Sequence, residues 1–110
     1  MQEIINLSYR YSGLAQDIIC DMDAISGIQE ALTKLGVSRA LVVCGPTILS
    51  KSNVVARVQD ALGNLSVGLF SEVAPHSPVE IVAKAVEVAS DVQPDCLVSV
   101  GGGSTHDTCK

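Results

Sequence analysis

Three short apolar runs alternate with segments of helical spacing, and this alternation constrains the fold more than any other feature of the sequence. The runs cover residues 40–44, 67–70 and 96–100, and from residue 24 onward the predicted order is helix–strand–helix–strand–helix–strand. Alternation with short connections favours right-handed crossovers and a parallel sheet. The apolar residues are mostly Val, Ile, Leu and Ala, which suits strands buried on both sides by helices. The sequence therefore predicts an α/β fold.

The first 63 residues carry further signals of strands, turns and helix ends. Residues 4–11 and 15–20 surround Ser12-Gly13 and are predicted to form two short strands joined by a turn. Asp23 is expected to cap the first helix, whose apolar positions Ile25, Ile28, Leu32 and Leu35 have helical spacing and which is expected to end at Gly36. Gly45-Pro46 is expected to break the strand at residues 40–44, before a helix from about residue 52 to residue 62 that ends at Gly63.

The third helix has the clearest predicted start. Ser77 is the expected N-cap, Pro78 the first helical residue, and Glu80 the partner that completes a capping box. Pro94 is expected to end this helix. The charged residues form one exposed stripe, and the opposite face is predicted to bury Val82, Ala85, Val86 and Ala89.

Composition excludes several classes of protein. A length of 110 residues fits one small domain, and 47% hydrophobic with 17% charged residues excludes a disordered chain. The net charge of −5 argues against a nucleic-acid partner. No apolar run is long enough to span a membrane, and the N-terminus lacks the basic region of a signal peptide, so a cytoplasmic protein is expected. The cysteines are scattered and are predicted to be reduced, mostly buried thiols: Cys20, Cys44, Cys96 and Cys109.

One edge of the predicted sheet gathers the candidate ligand-binding residues. Parallel strands end at the same edge, so Gly45, Ser71 and Gly101 should lie along it, where open α/β sheets bind ligands. The run from Gly101 to Ser104 lies between a strand and a predicted helix near Thr105. Glycine lets backbone N–H groups approach an anion closely, so this run could cradle a phosphate. A tight turn with no ligand would explain the same glycines.

The residues around these glycines resemble a known family. Residues 98–110 read VSVGGGSTHDTCK, which is similar to the G-G-G-S-x-x-D-x-x-K signature of the iron-containing alcohol dehydrogenase family. That family includes maleylacetate reductases and hydroxyacid-oxoacid transhydrogenases. Residues 75–80, PHSPVE, resemble the maleylacetate reductase branch, whereas residues 107–110 are more similar to the dehydrogenase and transhydrogenase branches.

This resemblance implies an NAD(P)-dependent oxidoreductase that exchanges hydride with a small alcohol or carbonyl substrate. It implies that residues 1–110 are the Rossmann-like, NAD(P)-binding part of an N-terminal domain. A helical domain that binds metal and substrate would follow Lys110, where the chain looks cut. Gly102, Gly103 and Ser104 would contact the pyrophosphate. The wider set of residues that the resemblance assigns to the cofactor site is Gly45, Pro46, Gly101, Gly102, Gly103, Ser104, Asp107 and Lys110.

The resemblance assigns no catalytic residue and no metal ligand to this chain. The family binds iron or zinc through an Asp and three His of its later domain, and neither His76 nor His106 matches those positions. These residues alone are therefore expected to be inactive, and a homo-oligomer is expected. Two alternatives remain open: a nucleotide-binding module without catalysis, and a self-associating fragment with neither function.

Overall fold

A computed structural model describes residues 8–12 and 16–110, and within these ranges it shows ten helices and strands of a mixed α/β fold. A short antiparallel pair comes first and a parallel three-stranded sheet follows. The elements are β1 (Tyr9–Ser12), β2 (Asp17–Cys20), α1 (Ile28–Lys34), β3 (Ala40–Cys44), α2 (Pro46–Lys51), α3 (Val54–Leu62), β4 (Ser66–Phe70), α4 (Val79–Val92), β5 (Cys96–Val100) and α5 (Gly103–Cys109). The predicted α/β class is confirmed.

The central strand of the parallel sheet is β3, with β4 on one side and β5 on the other. All five residues of β3 are buried. One face of β3, which includes Val42, packs against Val55, Val58 and Leu62 of α3. The other face, Leu41 and Val43, packs with Phe70 and the apolar side of α4. Helices therefore cover both faces of the central strand, as its continuous apolar sequence predicts.

The two crossovers run on opposite faces of the sheet. The connection from β3 to β4 passes through α2 and α3 on one face, whereas α4 connects β4 to β5 across the other face. Because the chain leaves β3 toward β4 and later returns to β3's other side with β5, the strand order reverses between β3 and β5. Open α/β sheets form their ligand crevice at such a switch point, outside the carboxyl ends of the strands.

The first elements largely follow the predictions. The paired strands β1 and β2 are confirmed, although Ser12, which was predicted to lie in the turn, is the last residue of β1. Predicted strand residues 4–7 and 15, and Gly13 of the predicted turn, lie outside the described residues. Asp23 begins a short 3-10 turn (Ala24–Gly27) that leads into α1, and its carboxylate accepts a hydrogen bond from the Ser26 hydroxyl, not from a helix amide. Gly36 ends α1 at φ +82°, with the Val37 amide donating to the Leu32 carbonyl. Leu35, the last of the apolar positions with helical spacing, is 78% exposed.

The strand break at Gly45-Pro46 is confirmed, but the chain then forms α2, which the sequence did not predict. Proline at the first position of a helix loses no hydrogen bond, because that amide has no intrahelical partner. The predicted second helix is confirmed as α3, with Gly63 at its end in a positive-φ conformation.

The predicted capping box at α4 is wrong. Ser77 has φ +47°, Pro78 is the residue that precedes the helix, and no side chain caps α4. The inward face is also rotated from the prediction, since Ile81 and Val88 pack on the sheet whereas Val86 is 58% exposed.

Strand β5 is confirmed, but it is less buried than predicted. It pairs only with β3 among the described strands, and Leu97 is 44% exposed. No helix within residues 8–12 and 16–110 has the length and apolar character needed to cross a membrane.

Candidate functional site

The candidate site lies where β3 and β5 end side by side. Cys44 and Val100 are register partners at the ends of these two strands. The next residue of each strand is a glycine, Gly45 and Gly101, so the two loops begin about 5 Å apart, the spacing of neighbouring strands. The structure therefore brings together the two glycine segments that the sequence placed on one edge.

The three consecutive glycines differ in what surrounds them. Gly101 has φ +145°, and a Cβ atom there would lie 2.7 Å from the Thr105 Oγ1 atom. The fold itself therefore requires glycine at this position. Gly102 and Gly103 have no positive φ, and a Cβ atom on either would meet nothing within 4 Å. Neither backbone conformation nor packing in the described part of the chain explains these two glycines.

Gly102 and Gly103 are located at the start of α5. Gly102 is the residue before the helix, and its carbonyl accepts from the amides of Thr105 and His106. The helix begins at Gly103, two residues earlier than predicted. Gly102 and Gly103 are exposed and Ser104 is half-buried. The backbone of this segment is thus accessible from the crevice.

Gly45 is constrained by a close approach of another loop. The Val73 amide donates to the Cys44 carbonyl at 3.2 Å, which holds the segment after β4 against the end of β3. A Cβ atom on Gly45 would lie 3.2 Å from the Val73 carbonyl oxygen. Pro46 follows as an exposed first residue of α2. Both predicted residues therefore lie on the β3 side of the crevice.

A hydroxyl cluster behind the glycines was missed by sequence reasoning. The Thr108 hydroxyl donates to the Ser104 carbonyl at 2.8 Å. The Ser77 hydroxyl lies 3.2 Å from that same carbonyl and 3.2 Å from the Thr108 hydroxyl. Thr105 and Thr108 are buried polar residues. The available signal was the spacing of Ser104 and Thr108, one helical turn apart directly after the glycines.

Asp107 and Lys110 do not join the glycines. Their side chains pair with each other at 3.6 Å and are 63% and 80% exposed. At 1.5 Å rise per residue, Lys110 lies about 10 Å along α5 from the first helical glycine. The structure therefore places these two predicted residues at the far end of the helix.

Histidines and cysteines near the site do not form a metal centre. The imidazole Nδ1 atom of His106 is hydrogen-bonded to the Ser99 hydroxyl, and His76 lies in a left-handed backbone conformation at φ +65°. Burial raises the pKa of the Cys44, Cys96 and Cys109 thiols, which favours their neutral form. Within the described ranges no three His, Cys, Asp or Glu side chains group so as to hold a metal ion.

The geometry of the site suits binding more than acid–base chemistry. Accessible glycine backbone lies on the β5 side of the crevice, and α2, which begins at Pro46, lies on the β3 side. The crevice itself is at the switch point between the two strands. Comparison with known proteins gives the family. The profile of the iron-containing alcohol dehydrogenases matches residues 15–110. The chain belongs to this family.

Individual members of the iron-containing alcohol dehydrogenase family resemble the chain in sequence and in fold. Maleylacetate reductase from Rhizobium sp. (strain MTP-10005) is 43% identical over 79 residues, which cover 72% of this chain and 22% of that protein. The crystal structure of maleylacetate reductase from Agrobacterium tumefaciens matches 91% of this chain and 27% of its own length, at 35% identity and a TM-score of 0.75.

The solved structure of a dehydrogenase is also similar. NADH-dependent butanol dehydrogenase A from Thermotoga maritima has a TM-score of 0.69 and 31% identity, covering 79% of this chain and 22% of that one. The chain spans about a quarter of the length of the relatives it matches.

Proposed function

We propose that residues 1–110 are the NAD(P)-binding domain of an oxidoreductase that reduces or oxidises a small carbonyl or alcohol substrate. The cofactor pyrophosphate would lie over Gly102, Gly103 and Ser104 at the switch point between β3 and β5. The observation that carries this proposal is the open space at Gly102 and Gly103. Two glycines that the fold does not need are explained by a ligand that must approach the backbone closely.

The tight-turn alternative accounts for only one of the three glycines. Gly101 needs its positive φ and would clash with Thr105 if it carried a side chain. That reasoning does not extend to Gly102 and Gly103, which have ordinary backbone angles. A pyrophosphate cradle explains all three, because Gly101 shapes the bend and the next two leave room for the ligand.

Gly45 and Pro46 would flank the adenosine ribose on the β3 side. Rossmann-type sites that prefer NAD place an acidic residue near the end of a strand, where it binds the ribose hydroxyls and repels a 2′-phosphate. Gly45 supplies no such charge. The proposed enzyme therefore accepts NADPH as well as NADH.

The bound dinucleotide would supply a hydride or accept one, and the residues of this chain would bind and orient it. The backbone of Gly102–Ser104 would fix the pyrophosphate, and the neighbouring loops would keep the crevice in shape. Asp107 and Lys110 would act at most on the rim, because they pair with each other away from the glycines.

Iron or zinc chemistry would require ligands from elsewhere in the protein. The described residues do not fit a metal centre, since they offer no suitable group of three ligands. We assign the metal and substrate residues to a separate helical domain, and we expect no turnover from residues 1–110 alone. We propose a maleylacetate-like carbonyl compound as the substrate, because a maleylacetate reductase is 43% identical to the chain over the matched residues.

Substituting the two open glycines tests this proposal. In the complete protein, Gly102→Val and Gly103→Val should weaken the binding of NADH or NADPH at least tenfold, about 1.4 kcal/mol, because a side chain would fill the space of the pyrophosphate. The Tm should change little. Gly27→Val is the matched control, since its Cβ would also meet nothing within 4 Å but lies away from the crevice. Unchanged cofactor affinity in the folded Gly102 and Gly103 variants would refute the cradle.

Experiments on the complete protein also test the two non-catalytic alternatives. A complete protein that binds dinucleotide but transfers no hydride to carbonyl or alcohol substrates would be a nucleotide-binding module. A protein that binds no dinucleotide and only self-associates would support the remaining alternative. Isothermal titration, steady-state assays and sedimentation distinguish these outcomes.

A further inference from the structure

Ser77 occupies a backbone conformation that serine rarely adopts. It follows His76, and the two residues have φ values of +47° and +65°. Left-handed angles are uncommon in residues other than glycine, and they persist when surrounding contacts hold them. The Ser77 amide donates to the Ala74 carbonyl at 3.3 Å, and Pro78 follows at the start of α4. This geometry turns the Ser77 side chain away from α4 and toward α5.

The Ser77 hydroxyl joins two loops that are distant in sequence. Ser77, Thr108 and the Ser104 carbonyl form a closed triangle with oxygen–oxygen distances of 3.2, 3.2 and 2.8 Å. Each hydroxyl can donate one hydrogen bond and can also accept. The triangle therefore ties the loop after β4 to the first turn of α5. It is partly buried, so water competes less for these bonds than it would on an open surface.

The triangle adjoins the open glycines in the chain. Ser104 follows Gly103, and its carbonyl is the atom on which both hydroxyls converge. A Cβ atom at Gly102 or Gly103 would have no neighbour within 4 Å. The Ser104 end of the segment is therefore held by hydrogen bonds, while Gly102 and Gly103 leave space for a ligand. A ligand that binds such a segment pays less ordering entropy when the backbone is already fixed.

We propose that Ser77 is a positioning residue of the dinucleotide site, which holds the Gly102–Ser104 backbone in its binding conformation without touching the cofactor. This inference rests on the proposed function, because it assumes that the glycine segment binds the pyrophosphate. It also explains why Ser77 does not cap α4. The hydroxyl instead couples the loop after β4 to α5.

We expect variants that lack the Ser77 hydroxyl to fold. In Ser77→Ala the Thr108 hydroxyl still donates to the Ser104 carbonyl, so neither group loses all its partners. Ser77→Gly also removes the hydroxyl but relieves the left-handed strain. If the hydroxyl is what matters, both variants should bind cofactor more weakly. If backbone strain is what matters, the two variants should differ.

The experiment measures cofactor affinity and loop protection in the complete protein. Ser77→Ala and Ser77→Gly should each raise the Kd for NADH or NADPH about fivefold, the worth of one net hydrogen bond. The KM for the cofactor should rise while kcat at saturating cofactor stays unchanged. Hydrogen exchange at the amides of Thr105 and His106, which donate to the Gly102 carbonyl, should accelerate in the absence of ligand. A residue with a merely structural role would lower the Tm without these changes.

Thr33→Ala is the matched control for loss of a hydroxyl. The Thr33 hydroxyl donates to a carbonyl one helical turn back, as Thr108 does, but it lies on α1 away from the crevice. It should leave cofactor affinity unchanged. A parent that binds dinucleotide with the same Kd as both Ser77 variants would overturn this inference and leave the proposed function standing. A parent that binds no dinucleotide would overturn both.

Discussion

The two ends of the parallel sheet are built in opposite ways. At the amino end, the Asp95 carboxylate accepts hydrogen bonds from the Ser38 and Arg39 amides and from the Ser38 hydroxyl, at 3.0 to 3.3 Å. The Arg39 guanidinium in turn donates to the Val92 and Gln93 carbonyls at the end of α4. At the carboxyl end, the glycine segments leave accessible backbone and open space. At the amino end the charged side chains are hydrogen-bonded within the protein, whereas at the carboxyl end the backbone of the glycine segment is accessible to a ligand.

This difference distinguishes residues that stabilise the sheet from residues that are expected to bind a ligand. The amino end fixes the starts of β3 and β5 relative to each other through Asp95, so its substitutions should change stability. Open positions at the carboxyl end should change binding. Gly101 is the exception at that end, since its backbone and its contact with Thr105 make it part of the fold. The largest expected effect comes from this residue.

Gly101→Ala should destabilise the protein by about 2–4 kcal/mol, because it adds left-handed strain and a clash with the Thr105 side chain. Denaturant unfolding of the complete protein measures this change. Gly27→Ala is the control, since Gly27 has a negative φ and open surroundings. Equal stability of Gly101→Ala and the parent would mean that the bend tolerates a side chain and that the two ends of the sheet differ less than the structure indicates.

Asp95→Asn should lower the Tm and leave cofactor affinity unchanged, because Asp95 lies at the end of the sheet opposite the crevice. An amide nitrogen would face an N–H donor where a carboxylate oxygen now accepts. Asp91→Asn, at an exposed position of α4, is the matched control. Weaker cofactor binding by the folded Asp95 variant would show that the two ends are coupled.

The same carboxylate sets a pH dependence. Hydrogen bonds from the Ser38 and Arg39 amides lower the pKa of Asp95 below its ordinary value of 3.8. A lowered folded-state pKa contributes stability above the unfolded value, and this contribution is lost as the pH falls through the folded-state value. The parent should therefore lose more stability than Asp95→Asn below pH 3.8. Parallel stability curves for the two proteins would contradict this assignment.

Gly45→Asp should change cofactor preference at the carboxyl end. The added carboxylate would repel a 2′-phosphate and shift the ratio of kcat/KM values toward NADH about tenfold. The new Cβ would press on the Val73 carbonyl at 3.2 Å, so some loss of stability is expected as well. Gly45→Ala carries the same Cβ without the charge, and it isolates the electrostatic part. An equal ratio in the Asp and Ala variants would place cofactor discrimination elsewhere in the protein.

The sequence predicted the order of the elements from β3 onward, except for α2, because the three strands of the parallel sheet have apolar runs and the helices between them have the spacing of one buried face. Gly36 and Gly63 are confirmed as helix ends with positive φ. The strand order could not be read in the same way, since it depends on which side of β3 each later strand pairs with. That order creates the switch point between β3 and β5.

Two of the features that sequence reasoning missed share a physical cause, which is a partner distant in sequence. Ser77 has the sequence context of an N-cap, but its hydroxyl contacts Ser104 and Thr108. Asp95 follows a helix-ending proline and gave no local signal, because its partners Ser38 and Arg39 are distant in sequence. The glycine segment was predicted as a site, yet only the structure separates Gly101 from its two neighbours.

The pairing of β3 with β5 has a consequence for how the protein folds. Ala40 pairs with Ser66 of β4 and with Cys96 of β5, so the β3–β5 pairing spans about twice as much chain as the β3–β4 pairing and forms only after α4 has crossed the sheet. Contacts of large sequence separation form slowly, because loop-closure entropy opposes them. We therefore expect the crevice to form after the β3–β4 pair. A dinucleotide would therefore bind only after β5 has paired with β3, and it would not affect the earlier folding steps.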